Sequence, residues 1–104
     1  MQIQVNANHG INGGELLTQY VEDLMGSTLD HHKDQVTRIE VHLADENGPK
    51  GGSDDLRCTI EARISGLQPI AVTHHAADIH LAIDGSAEKI QRAVNKAIEK
   101  RRSY

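Results

Sequence analysis

Aromatic residues are nearly absent from this chain of 104 residues, which has two tyrosines and neither phenylalanine nor tryptophan. Core candidates are therefore aliphatic. An interface that stacks nucleic-acid bases on a sheet needs exposed aromatic rings, and the strands predicted below carry none. This absence excludes base stacking on a sheet as the basis of any nucleic-acid binding.

The chain also lacks the features of a secreted or membrane-spanning protein. Its only cysteine, Cys58, cannot form an intramolecular disulfide, which fits a reducing compartment. No apolar run reaches the roughly 18 residues that span a bilayer, and the N-terminal MQIQVNAN lacks the charged-then-apolar pattern of a signal peptide. We expect one cytoplasmic domain, residues 1–104, without membrane contact.

Catalytic motifs are missing as well. The sequence has no H-E-x-x-H, no P-loop, no G-x-G-x-x-G and no nucleophile motif, so we expect no enzyme, no cofactor and no small-molecule substrate. Histidines invite a zinc hypothesis, but Cys58 is alone and faces the predicted core, and adjacent histidines are not ligand pairs in themselves. Surface or helix-start histidines are expected in place of a metal site. The seven histidines are His9, His31, His32, His42, His74, His75 and His80.

Four segments are predicted to be strands. They are QIQVNA (2–7), TRIEVHL (37–43), LRCTIEARI (56–64) and IAVTH (70–74). The first three alternate apolar and polar residues, which is typical of strands with one buried face. A Gly- and Asp-rich excursion, residues 45–55, precedes the third strand and is expected to be mobile because it is too polar to pack.

Residues 15–25 show helical periodicity and predict a first helix that ends near Gly26 or extends toward Leu29. Its apolar stripe is predicted to contain Leu16, Leu17, Tyr20, Val21 and Leu24.

A second helix is predicted from about residue 76 to about residue 101. Gly85 lowers helix propensity by up to about 1 kcal/mol relative to alanine, but the apolar stripe passes through it without a phase break. We therefore predict one unbroken helix. The stripe consists of Ile79, Ile83, Ala87, Ile90, Val94 and Ala97.

The predicted order β-α-β-β-β-α corresponds to an α+β fold. A helix between the first two strands makes them parallel neighbours, and the later strands follow as antiparallel hairpins. Because the alternating strands have one apolar face, both helices are expected to pack on one face of a four-stranded mixed sheet. The other face is left to water or to a partner.

The net charge of −4 hides an uneven distribution. Residues 1–84 carry 5 Lys or Arg against 13 Asp or Glu, a balance of −8, whereas residues 85–104 carry 6 against 2, a balance of +4. Lys89, Arg92, Lys96 and Lys100 are spaced +3, +4 and +4 and form a basic ridge beside the apolar stripe of the last helix. Such a ridge can bind the phosphates of structured RNA. Alternatively, the cations only complement the helix dipole, at about 0.3–1 kcal/mol each.

The element order and the C-terminal segment AIDGSAEKIQRAVNKAIEKRR resemble the ribosome hibernation-promoting factor family of bacteria, over nearly the whole chain. The segments DENGPKGG, RCTIEAR and GLQPIAV, with His74, are similar to those of its short, single-domain, ribosome-associated inhibitors. The most specific part of the resemblance comprises Asp78, Ala82, Ile83, Asp84, Lys89, Arg92 and Lys96.

This resemblance implies a domain that binds the small ribosomal subunit in the channel used by messenger and transfer RNA, and silences translation during stress or stationary phase. It implies contacts with ribosomal RNA from Lys89, Arg92 and Lys96, and Lys100 extends the row. Arg101 and Arg102 are further RNA-binding candidates, at an end of the chain that is prone to fray.

Two features depart from the family pattern. The first helix carries Glu15, Glu22 and Asp23 where family members typically have lysines, and the chain is net acidic. The alternative function is therefore a stress-associated protein–protein interaction module with the same fold and little RNA affinity. Salt dependence separates the two, because phosphate contacts make binding steeply sensitive to salt and a protein interface need not.

Overall fold

The computed structural model describes residues 1–8, 11, 13–46 and 55–102. The predicted α+β order β-α-β-β-β-α is confirmed. The mobility expected for residues 45–55 concerns mainly 47–54, which lie outside the described residues. The elements are β1 (Gln2–Ala7), α1 (Gly14–Thr28), a one-turn 3₁₀ helix (Asp30–His32), β2 (Val36–Asp45), β3 (Leu56–Ile64), β4 (Ile70–Ala76) and α2 (Ile79–Arg102).

The four strands form one sheet in the order β1-β2-β3-β4. β1 and β2 are parallel, with Val5 opposite Val41, as the helical connection between them requires. The β2–β3 and β3–β4 pairs are antiparallel, and they place Ile60 opposite both Val41 and Val72. The predicted topology is therefore confirmed, and β1 and β4 are the edge strands.

The core lies between one face of the sheet and the two helices. Ile60 and Val41 are fully buried, whereas Thr59 on the opposite face of β3 remains partly exposed. The same hydrophobic cluster contains Val21 of α1 and Ile90 of α2. Both helices therefore cover the apolar face, and the other face of the sheet is open.

The two helices run in the same direction. Tyr20 donates its hydroxyl hydrogen to the Asp84 carboxylate, and the Gln91 amide donates to the Thr28 carbonyl oxygen at 3.2 Å. Because the contacting positions increase together in both helices, their first turns lie at the same end of the domain.

Leu16 was expected in the apolar stripe of α1, and this prediction is wrong. Its side chain is 88% exposed, and the buried residues of the helix are Leu17, Val21 and Met25. Leu16 lies one position before Leu17 and so projects about 100° away around the helix. The core contacts only the narrower stripe.

α2 begins at Ile79, three residues later than predicted, because β4 continues to Ala76, which pairs with Leu56. Asp78 caps the helix: its carboxylate accepts hydrogen bonds from the backbone N–H groups of His80 at 2.8 Å and Leu81 at 3.3 Å. From there α2 continues unbroken to Arg102. No helix within the described ranges has an apolar stretch long enough to cross a membrane.

Gly85 provides a close approach between α2 and the sheet. A Cβ atom at this position would lie 2.2 Å from Cδ2 of His74, whose ring comes from the core-facing side of β4. Only glycine leaves room for the imidazole against the helix backbone. The contact accounts for a residue that otherwise disfavours the middle of a helix.

Candidate nucleic-acid interface

The four cations of the basic ridge are all exposed on α2. Their spacing keeps them within about a quarter of the helix circumference and spreads them over about 16 Å of its length. The ridge borders the buried stripe without entering it. The buried residues of α2 are Ala82, Ile83, Ser86, Ala87, Ile90, Val94 and Ile98.

The ridge lies on the flank of α2 that faces away from α1. The opposite flank makes the contacts between the helices, through Asp84, Gln91 and Asn95, whose Oδ1 lies 2.7 Å from Nε2 of His32. The ridge instead runs beside the edge strand β4, because Lys89 donates to the Thr73 carbonyl oxygen at 2.8 Å. An extended ligand could therefore reach the ridge without contacting α1.

The ridge cations differ in how strongly the protein already holds them. Arg92 forms an ion pair with Glu88 at 3.6 Å, but both side chains are more than 70% exposed, so the pair is weak and can exchange for another anion. Lys96 and Lys100 have no hydrogen-bond or ion-pair partner among the described residues. Arg92, Lys96 and Lys100 are therefore the cations most available to a ligand.

Arg101 and Arg102 do not join the ridge. Arg101 donates to the Ser65 carbonyl oxygen at 2.6 Å and to the Gln35 side chain, and so fastens the end of α2 to the β3–β4 turn and the start of β2. Arg102 is exposed, but it follows Lys100 by two positions and projects about 200° away from it. The two arginines thus occupy other surfaces.

The open face of the sheet carries balanced charge. Arg38 pairs with Glu40 at 3.0 Å, and Arg63 pairs with Glu61 at 3.2 Å. The hydrogen bond from Arg38 holds the pKa of the Glu40 carboxyl below its usual value. Thr59 and Thr73 contact each other through their hydroxyls at 3.1 Å. This face has local ion pairs where a polyanion-binding surface would have unpaired cations.

Side chains capable of metal binding or nucleophilic chemistry do not assemble into a second site. Within the described part of the chain, no three His, Cys, Asp or Glu residues are placed to hold a metal ion. His9 lies outside that part. The Cys58 thiol is buried, and its loss of solvation raises its pKa to about 11, so it is protonated at neutral pH.

Comparisons with known proteins match almost the entire chain. The sequence profile of the family described as "Sigma 54 modulation protein / S30EA ribosomal protein" matches residues 3–102. A search of curated proteins found no significant match.

Two solved structures are similar to this one. The Protein Y N-terminal domain of Thermus thermophilus has a TM-score of 0.73 and 18% identity, with 92% of this chain and 98% of that chain covered. A ribosomal subunit interface protein from Coxiella burnetii has a TM-score of 0.70 and 15% identity, with 95% and 99% covered. At these identities the likeness establishes the shared fold.

Proposed function

Because the chain belongs to the Sigma 54 modulation protein / S30EA ribosomal protein family, we propose that it is a ribosome-associated hibernation factor. It binds the small ribosomal subunit through the basic ridge of α2 and inhibits translation during stress or stationary phase. The family resemblance found in the sequence is thereby confirmed. The proposal needs no catalytic step and no cofactor, and it implies a cytoplasmic location.

One observation carries the proposal: four exposed cations follow one flank of α2, and neither the core nor α1 uses that flank. A basic helical ridge suits RNA recognition because the phosphate backbone is reached without reading base edges. We assign the direct phosphate contacts to Arg92, Lys96 and Lys100. Lys89 contributes charge while it also covers a backbone oxygen of the edge strand β4.

Co-sedimentation with purified ribosomal subunits tests the proposal. The protein should pellet with the small subunit at low salt and be released steeply as salt rises, because bound cations displace the counterions of RNA. Equal pelleting with the large subunit would contradict the assignment to the small one. Absence of binding to either subunit would overturn the function.

The acidic surface of α1 favours a second candidate function. Glu15, Glu22 and Asp23 face solvent beside the exposed Leu16, and the last turn of α1 holds no basic residue. A stress-associated protein-interaction module would use this surface and would need little RNA affinity. Ribosome association that persists at high salt and survives removal of the ridge charges would favour this function.

A further inference from the structure

Two exposed surfaces at opposite ends of the domain complement each other in apolar content and in charge. We propose that the first turn of α1 docks into a groove beside the last turn of α2 in a second copy of this chain. The copies then associate head to tail.

The groove lies where α2 ends against the β3–β4 turn, and it has a volume of about 480 Å³. Leu67, Ile70 and Ala97 make its surface largely apolar, and all three are only partly buried. Lys100 and Arg101 supply positive charge at its rim. The hydrogen bonds of Arg101 to Ser65 and Gln35 hold this rim in place. An occupant of matching chemistry would present an apolar side chain among carboxylates.

The first turns of α1 present this chemistry. Leu16 is 88% exposed, more than any other large apolar residue in the described ranges. Glu15 precedes it, and Glu22 and Asp23 follow on the same solvent-facing side of the helix. We call Leu16 with these three carboxylates the acidic knob.

The knob and the groove of one chain cannot meet. The helices are parallel, so the knob lies at the end of the domain where α2 begins, whereas the groove lies where α2 ends. The 24 residues of α2 separate the two ends by about 36 Å. The contact must therefore join two copies.

The physical properties of such a contact follow from its size and symmetry. One leucine and a small groove bury less than the roughly 1,200 Å² typical of stable complexes, so the association is weak. Its charge attraction is screened by salt. A head-to-tail contact leaves a free knob and a free groove at the ends, so it extends into short chains unless it closes into a ring. It also covers Lys100, so it competes with a ligand of the basic ridge.

Sedimentation velocity of the purified protein without ribosomes tests the inference. In low salt, the weight-average sedimentation coefficient of the wild type should rise with protein concentration, and high salt should reverse the rise. Leu16→Ser removes the knob, and Gln68→Glu places a negative charge in the groove. Both positions are exposed, so each variant should remain folded by circular dichroism and stay monomeric.

Mixing the two variants provides the decisive arm. Leu16→Ser keeps an intact groove and Gln68→Glu keeps an intact knob, so the mixture should form dimers that cannot grow. Leu81→Ser is the matched control, since Leu81 is an exposed leucine at the same end, outside the contact. It should behave as the wild type. A monomeric wild type at every concentration, variants or a control that depart from these results, or a mixture without dimers would overturn the inference.

Discussion

α1 and α2 do the same work inside the protein and present opposite charge outside it. Both run in the same direction on one face of the sheet and contribute to one hydrophobic cluster. The surface of α1 carries Glu15, Glu22 and Asp23, and the surface of α2 carries the basic ridge. Since both surface compositions are compatible with the same packing, the fold alone does not require the ridge.

The helix dipole does not explain the ridge either. The dipole favours cations in the last turn only, and α1 ends without a basic residue there. In α2 the last turn holds Lys100, Arg101 and Arg102, whereas Lys89, Arg92 and Lys96 come earlier. Most of the ridge therefore lies where the dipole has little effect, which favours a role in binding.

The largest effects are expected from the interior, where the two helices should be equivalent. Met25 in α1 and Ile90 in α2 are fully buried. Met25→Ala and Ile90→Ala should each lower the free energy of unfolding by about 2–5 kcal/mol, because each leaves a cavity in the shared core. Urea denaturation measures both. A loss at only one position would mean that the helices do not contribute equally to the core.

The glycines of the two helices should respond in opposite directions. Gly85→Ala should lower the free energy of unfolding by about 1–3 kcal/mol, because the new Cβ collides with His74. Gly26→Ala in α1 has open space around the new atom and should raise stability by up to about 1 kcal/mol through helix propensity.

The glycine comparison has an internal control. Adding His74→Ala should reduce the penalty of Gly85→Ala, since the collision partner is removed. Thermal and urea unfolding of the single and double variants measure this coupling. A Gly85→Ala variant as stable as the wild type would show that the ring moves aside at no cost.

The contact between the helices should give the smallest change and a distinctive pH dependence. The hydrogen bond to Asp84 raises the pKa of Tyr20 above its ordinary value of 10.0. The bond therefore contributes its full stability below pH 10 and loses it as the pH rises through the raised pKa. Tyr20→Phe should cost about 1 kcal/mol at neutral pH and should remove this alkaline loss.

The pKa of Tyr20 can be measured by absorbance titration in a Tyr104→Phe background, where only Tyr20 ionises as a phenol. A midpoint at or below that of free tyrosine would contradict the hydrogen bond between α1 and α2. Parallel unfolding curves at neutral and alkaline pH report the stability difference between Tyr20→Phe and its parent.

Local sequence patterns predict most of this fold. The bounds of β1 and β3 follow from two-residue alternation, and the ridge follows from spacing along one helix, so each depends only on residues near in sequence. The exposure of Leu16, the extension of β4 to Ala76 and the anchoring of Arg101 depend on segments that meet only in the folded chain. Sequence periodicity carries no information on such meetings.

The candidate site divides in the same way. Four cations on one flank could be predicted, because helical spacing alone places them there. The hydrogen bond from Lys89 to Thr73 and the removal of Arg101 from the set could not, because both depend on where β4 and the β3–β4 turn lie beside α2. The signal for Gly85 was its departure from helix propensity, and its partner His74 lies in another strand.

The salt dependence of ribosome binding tests the central claim most directly. A variant in which Lys89, Arg92, Lys96 and Lys100 are all replaced by Gln is compared with one that neutralises α1 through Glu15→Gln, Glu22→Gln and Asp23→Asn. Both are checked for folding by circular dichroism and pelleted with small ribosomal subunits across a salt series. The ridge variant should lose most of its binding, and its slope of log affinity against log salt should be about 3 smaller in magnitude, at about 0.7–0.9 for each lost phosphate contact. The α1 variant should keep the slope of the wild type. A folded ridge variant that binds as tightly as the wild type, with the same slope, would contradict the account.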